Sequence, residues 1–114
     1  TWHWVRADQS YDILTEEQAK KVISIQINDA YERPYAKTIL RDESMHDRLA
    51  PGTGAKDTAG FVKMIKEAGI DPKVVGVEVI SDEILSRGLK EAAAHTYDNT
   101  VKVLKEAWPE ILEA

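Results

Sequence analysis

The stretch VISIQINDA, Val22 to Ala30, decides how this chain is organised. Its apolar run reads as a buried strand. Gln26 interrupts that run with an amide, which is expensive to bury without a partner. Asn28 and Asp29 then close it with a second amide and a carboxylate.

Working outward, two more strand-like runs flank this one: Thr1 to Val5 (TWHWV) and Val74 to Ile80 (VVGVEVI). Each of the three precedes a helical segment. After the first, Thr15 and Gln18 have the spacing of a capping box for a short helix. After the second, a long loop from Asn28 to about Lys56 carries Pro34, Pro51, Gly52 and Gly54. Asp57 then caps a helix in which Phe61, Ile65 and Ala68 share a face, and Gly69 ends it in the left-handed conformation. After the third, a helix runs from about Leu89 to Ala107, with Leu89, Ala93, Tyr97, Val101 and Leu104 on one stripe. Pro109 breaks or restarts it. This alternation predicts an α/β fold with parallel strands. The strands are apolar at nearly every position, as when helices cover both sheet faces.

Composition bounds the partners. A chain of 114 residues is at most one small domain, and 43% hydrophobic content predicts a globular one. The net charge of −5 argues against nucleic acid, which wants a basic face. There is no cysteine, so disulfides and thiolate metal sites are excluded, and a cytoplasmic location is the expectation. No apolar run reaches the roughly 18 residues of a membrane span. The opening, TWHWVRADQ, has no initiator Met and no signal peptide, and reads as the middle of an element of something larger.

Polar groups recur near the carboxyl ends of the three strands: His3, then Gln26 and Asp29, then Glu78. On neighbouring parallel strands they converge at one face. Taken singly, each has an ordinary explanation: aromatic packing for His3, a hydrogen-bonded core amide for Gln26, a Lys or Arg partner for Glu78. Together they make an oxygen- and nitrogen-rich environment suited to a divalent metal ion, Mn²⁺ first, with Mg²⁺ or Zn²⁺ as alternatives. Glu78, flanked by apolar residues, needs a strong partner, and a metal is one. The long loop adds MHDRLAPGTGAKD. Its Pro-Gly-Thr-Gly lacks the Lys-Ser/Thr of a phosphate-binding loop, which excludes a nucleotide. His46 and Arg48 are either solvated or reach an anionic or polyhydroxylated ligand.

In this order, TWH, QIND, PGTGAKD and VGVEV resemble the motifs of the xylose-isomerase-like TIM-barrel superfamily, the sugar phosphate isomerases and epimerases. The resemblance covers essentially the whole chain. It implies a (β/α)8 barrel of which residues 1–114 form the carboxyl-terminal three or so βα units, with the upstream strands missing. It implies Gln26 and Glu78 as metal ligands, His3 beside the substrate, and Arg48 at the substrate oxygens. His is commoner than Gln at the position of Gln26, and the remaining ligands would lie before Thr1. The implied activity is a metal-dependent isomerase or epimerase of a sugar or related hydroxy-carbonyl compound, using proton abstraction beside a carbonyl with His3 or Glu78 as the group that moves the proton. A lyase or dehydratase shares that first step, and a non-catalytic scaffold fragment is the rival. The rest of the barrel is expected from an upstream segment or another chain, and open sheet edges also allow a homo-oligomer.

Overall fold

Two parallel strands hold the middle of the molecule. β1 (Ser24–Ile27) lies beside β2 (Val74–Val77), with Ser24 opposite Val74 and Gln26 opposite Gly76. The structure is a computed structural model and describes residues 1–32 and 39–113. Pro34 of the long loop lies outside the described residues.

Parallel strands need a crossover, and α4 (Thr58–Glu67) supplies it. Its start is fixed by the Asp57 carboxylate, which accepts from the Gly60 N–H at 2.7 Å. Its end is fixed by Gly69, whose φ of 74° suits a residue without a Cβ. Phe61, Val62, Met64 and Ile65 of α4 bury against Ile25 and Ile27 of β1 and against Val103, Leu104 and Ala107 of α6 (Leu89–Ala107). Burying each such side chain contributes about 1.5–3 kcal/mol before the entropy of ordering it is charged. The short α2 (Glu16–Ala19) has the expected capping box, with Thr15 and Gln18 each bonding the other's backbone N–H.

Several expectations need correction. Thr1 to Val5 is not a strand: α1 spans Trp2–Arg6. Thr1 N donates to Gln26 O at 2.9 Å, as a strand neighbour would, but Trp2 N already turns to the Asn28 side chain. Without further ladder partners the segment winds into a helix. The long loop is not featureless, because it contains α3 (Leu40–His46). A short α5 (Asp82–Ser86), capped by Ser81, precedes α6, and restarting after Pro109 gives a 3₁₀ turn, Pro109–Leu112. The strands are not covered on both faces: Ile25 and Ile27 are buried while Ser24 and Gln26 are exposed.

The buried face of α6 shares only Leu104 with the expected stripe. Ala92, Thr100, Val103, Leu104 and Ala107 face inward, whereas Leu89 and Tyr97 are 79% and 66% exposed. Small Ala92 and Ala107 let the helix approach the core, and the Thr100 hydroxyl satisfies itself on Thr96 O at 2.8 Å. Hydrophobicity alone favoured the larger side chains on the other face.

The loop after β1 is shaped by one carboxylate. Asp29 is 1% exposed and accepts from the backbone N–H groups of Ala30 (2.7 Å), Gly54 (2.9 Å) and Lys56 (3.1 Å). The Pro-Gly-Thr-Gly turn therefore winds onto Asp29. A Cβ at Gly54 would sit 2.4 Å from Ala30 O and 2.5 Å from Asp29 Oδ1. Just before this turn the chain crosses the strand ends. Asp29 and Leu49 exchange backbone hydrogen bonds at 2.8 and 3.1 Å, and Arg48 N donates to Ile80 O at 3.0 Å. A second buried carboxylate, Glu43, is fully enclosed and receives a fork from Arg6, whose Nη2 also donates to Tyr31 O. That pair ties α1 to α3.

Two outcomes follow for the stability of the protein containing this chain. Gly54→Ala and Asp29→Asn each lower the urea-unfolding free energy by about 1–3 kcal/mol, the first by overpacking and the second by turning an acceptor into a donor against backbone N–H groups. Arg6→Met strands Glu43 as a buried, unpaired charge and lowers it by about 3–5 kcal/mol, while Arg6→Met with Glu43→Leu recovers most of the loss. Equal losses in the single and the double variant would show that the pair is not what ties α1 to α3.

Candidate functional site

Side chains alternate along a strand, so burying Ile25 and Ile27 sends Gln26 to the opposite face. Gly76 stands opposite it and leaves that face open; a Cβ there would be 3.6 Å from Gln26 Cγ, in ordinary contact. Glu78 follows the end of β2 on the same face. α1 adds His3. These three residues line one cleft of about 250 Å³, with Thr1, Asn28 and Phe61 among its walls.

His3 is exposed, its ring edge-on to Trp2 with centroids 5.1 Å apart. The indole N–H of Trp2 is buried without a hydrogen-bond partner among the described residues.

Glu78 has the strong partner its apolar flanks demanded, and it is an arginine. Arg48 Nη1 donates to Glu78 Oε2 at 2.6 Å. The Arg48 side chain is 3% exposed and that of Glu78 is 36% exposed. Arg48 is further held by Ser44, through Nε to the carbonyl at 2.8 Å and Nη2 to the hydroxyl at 2.7 Å. It thus acts on the cleft through Glu78 and does not line it. His46 stands elsewhere: its Nδ1 is 3.0 Å from Asp82 Oδ2, and both side chains are exposed. The structure therefore separates His46 from Arg48. Asp29, expected to converge with Gln26 and Glu78, is instead occupied by the loop N–H groups.

Asn28 carries a role the sequence reading missed. Its Oδ1 accepts from Trp2 N at 2.7 Å and its Nδ2 donates to Glu78 O at 2.9 Å. One amide thereby joins α1, β1 and the extension of β2. The available signal was its chemistry: an amide at a strand end can bridge a donor and an acceptor where a carboxylate cannot.

Among the described residues there is no group of three or more His, Cys, Asp or Glu side chains that could hold a metal ion. Gln26 offers an amide oxygen at the cleft. Glu78 offers Oε1, which makes no hydrogen bond among the described residues. Hard cations take several oxygens, so these two would supply only a minor part of a ligand set.

No family model matches the chain, and no curated protein matches it. Among solved structures it is similar to the IolI protein, determined with a bound zinc atom, at 25% sequence identity and a TM-score of 0.77. The match covers 94% of this chain and 36% of that one, so the chain spans about a third of the length of the protein it resembles. The assignment to the sugar phosphate isomerase and epimerase family, as its carboxyl-terminal portion, is corrected by these results: no family model supports it, and the likeness to the IolI structure stands in its place. The chain has an α/β fold with parallel strands that matches part of a TIM barrel.

Proposed function

We propose that the cleft of His3, Gln26 and Glu78 is one part of the active site of a metal-dependent enzyme acting on a small, sugar-like hydroxy-carbonyl compound. The observation that carries this reading is the convergence of Gln26 and Glu78 on one cleft at the carboxyl side of adjacent parallel strands. Sites on barrels of this kind sit on that side. The zinc atom of the IolI structure supports a divalent cation and gives no support to manganese in particular.

Gln26 and Glu78 are the residues of this chain that would hold the cation. A bound cation supplies charge that polarises a carbonyl oxygen. His3, exposed on the cleft, is placed to take or return a proton. Arg48, through its hydrogen bond to Oε2, fixes the orientation of Glu78. Isomerisation or epimerisation and the lyase or dehydratase alternatives share the proton abstraction, and they differ in what leaves afterwards.

The rest of the ligand set and of the barrel comes, in this proposal, from polypeptide packed against these two strands. Ile23 and Val74, at the strand starts, are 73% and 59% exposed, which suits strands awaiting neighbours. A non-catalytic scaffold is the second reading, and the pairing of Glu78 with Arg48 is what favours it, because that pairing satisfies Glu78 without a metal.

The test uses the protein that contains residues 1–114, titrated calorimetrically with zinc. Glu78→Gln weakens zinc binding by about tenfold or more, because it removes the charged ligand, with circular dichroism checking that the fold survives the loss of the Arg48 ion pair. His3→Asn leaves zinc affinity unchanged and lowers turnover of a hydroxy-carbonyl substrate by about 10²–10⁴-fold. Undiminished zinc affinity in Glu78→Gln contradicts the reading, and absence of zinc binding in the parent protein favours the scaffold.

A further inference from the structure

The cleft draws its walls from both faces of the sheet. Ile25, Phe61 and Ile65 belong to the core side of β1, whereas Gln26 stands on the other face. Side chains on opposite faces of a strand line one space only where that space runs along the strand's edge. β2 takes one edge of β1, and the sheet has no third strand among the described residues. The cleft therefore lies along the other edge.

The backbone of that edge is already engaged at one end. Ile23 O and Ile27 O accept from Lys73 N at 2.8 Å and Glu78 N at 3.3 Å, on the β2 side. The alternate residues, Ser24 and Gln26, turn their N–H and C=O groups the other way, and open strand groups are a template for a further strand. Gln26 O accepts from Thr1 N at 2.9 Å, and Asn28 N donates to Thr1 Oγ1 at 3.5 Å. Thr1 is thus reached from two positions, one on either side of Ile27. That is the parallel pattern, although its second bond uses the side chain; an antiparallel pair exchanges both bonds with one residue. Thr1 stands beside Ile27 as the last residue of a parallel neighbour, and Trp2 then turns away into α1.

We propose that the open edge of β1 is the docking site for an extended segment of the same polypeptide, the residues leading into Thr1, which adds a third, parallel strand through Ser24 and Gln26. Main-chain bonds hold such a segment, and alternate side chains fit the two walls. The residue immediately before Thr1 falls beside Gln26 on the polar face. The one before that falls beside Ile25 and enters the apolar wall of Leu14, Phe61 and Ile65. This segment is favoured over a second copy because Thr1 already supplies its last position. The chain also matches only 36% of the IolI structure, so the fold it resembles has further polypeptide to supply. The apolar half of the cleft is then strand space, and the polar end at His3, Gln26 and Glu78 is what a ligand can reach. The inference rests on the reading above that polypeptide beyond residues 1–114 completes the sheet, and not on the cation.

The experiment is disulfide trapping in the protein containing residues 1–114, a stretch without cysteine. Ser24→Cys is combined with a cysteine three residues before Thr1, the position facing it on the same side of the sheet. Neighbouring strands stand about 5 Å apart, within disulfide reach. Val74→Cys, opposite Ser24 on β2, is the control, roughly 10 Å from the same position. The expected result is a link within one polypeptide, mapped by peptide mass spectrometry, at least about tenfold more abundant with Ser24→Cys than with Val74→Cys. If the paired variant unfolds, amide exchange in the parent protein decides: the Gln26 N–H, bonded to the segment, exchanges about 100-fold or more slowly than in an unstructured peptide. A mature protein whose first residue is Thr1, a folded Ser24→Cys protein linked only between two copies or not at all, or a Gln26 N–H exchanging freely overturns the proposal. Failure of zinc binding sinks the cation reading and leaves these readouts untouched.

Discussion

The Asp29 carboxylate is the interaction on which the rest of this structure depends. It is buried, and three backbone N–H groups converge on it. By gathering Ala30, Gly54 and Lys56 it folds the segment after β1 back over the sheet. That return carries Leu49 against Asp29 and Arg48 against Ile80. Arg48 then meets Glu78, and Ser44 of α3 braces it from behind. The Gly54 position leaves no room for a side chain because the backbone must press against the carboxylate it serves. The Pro51–Gly54 turn is thereby held against the end of β1.

Charge inside the molecule is handled in pairs. Glu43 is matched by Arg6 and Glu78 by Arg48, and in each case the arginine is nearly buried. Buried ion pairs do not guarantee stability, since desolvation offsets much of the attraction. Their effect here is geometric. The Arg6 pair fixes α1, which carries His3, to α3. The Arg48 pair fixes the loop to the end of β2. Asn28, with one donor and one acceptor used, closes the remaining gap between α1 and Glu78. The polar side of the cleft is thus bounded by groups whose positions are set by polar bonds, while its apolar wall is the edge of the core, through Ile25, Phe61 and Ile65.

Much of this was legible in the sequence where a local rule has one strong outcome. The Thr15–Gln18 capping box, the Asp57 cap, the left-handed Gly69 and the limits of α6 each rest on chemistry within a few residues. Where partners lie far apart in the chain, the sequence was less informative. TWHWV has the composition of a strand, yet whether it pairs depends on what stands beside it. The two faces of α6 both carry apolar residues, and only the packing against α4 selects Ala92, Val103 and Ala107 over Leu89 and Tyr97. His3, Gln26 and Glu78 line one cleft, but His3 does so from a helix and not from the strand end expected of it, and Asp29, expected beside them, is taken up by the loop. The partner of Glu78 was not legible, because Arg48 reaches it through a loop whose path Asp29 decides.

The central proposal is that Gln26 and Glu78 supply part of a divalent-cation site at this cleft. It is tested most directly by a crystal structure of the zinc-loaded protein containing residues 1–114, recorded at the zinc absorption edge. The account predicts an anomalous peak about 2.0–2.2 Å from a Glu78 carboxylate oxygen, with the Gln26 amide oxygen also in its coordination sphere. A peak elsewhere in the molecule, with Glu78 still paired to Arg48 alone, would contradict it.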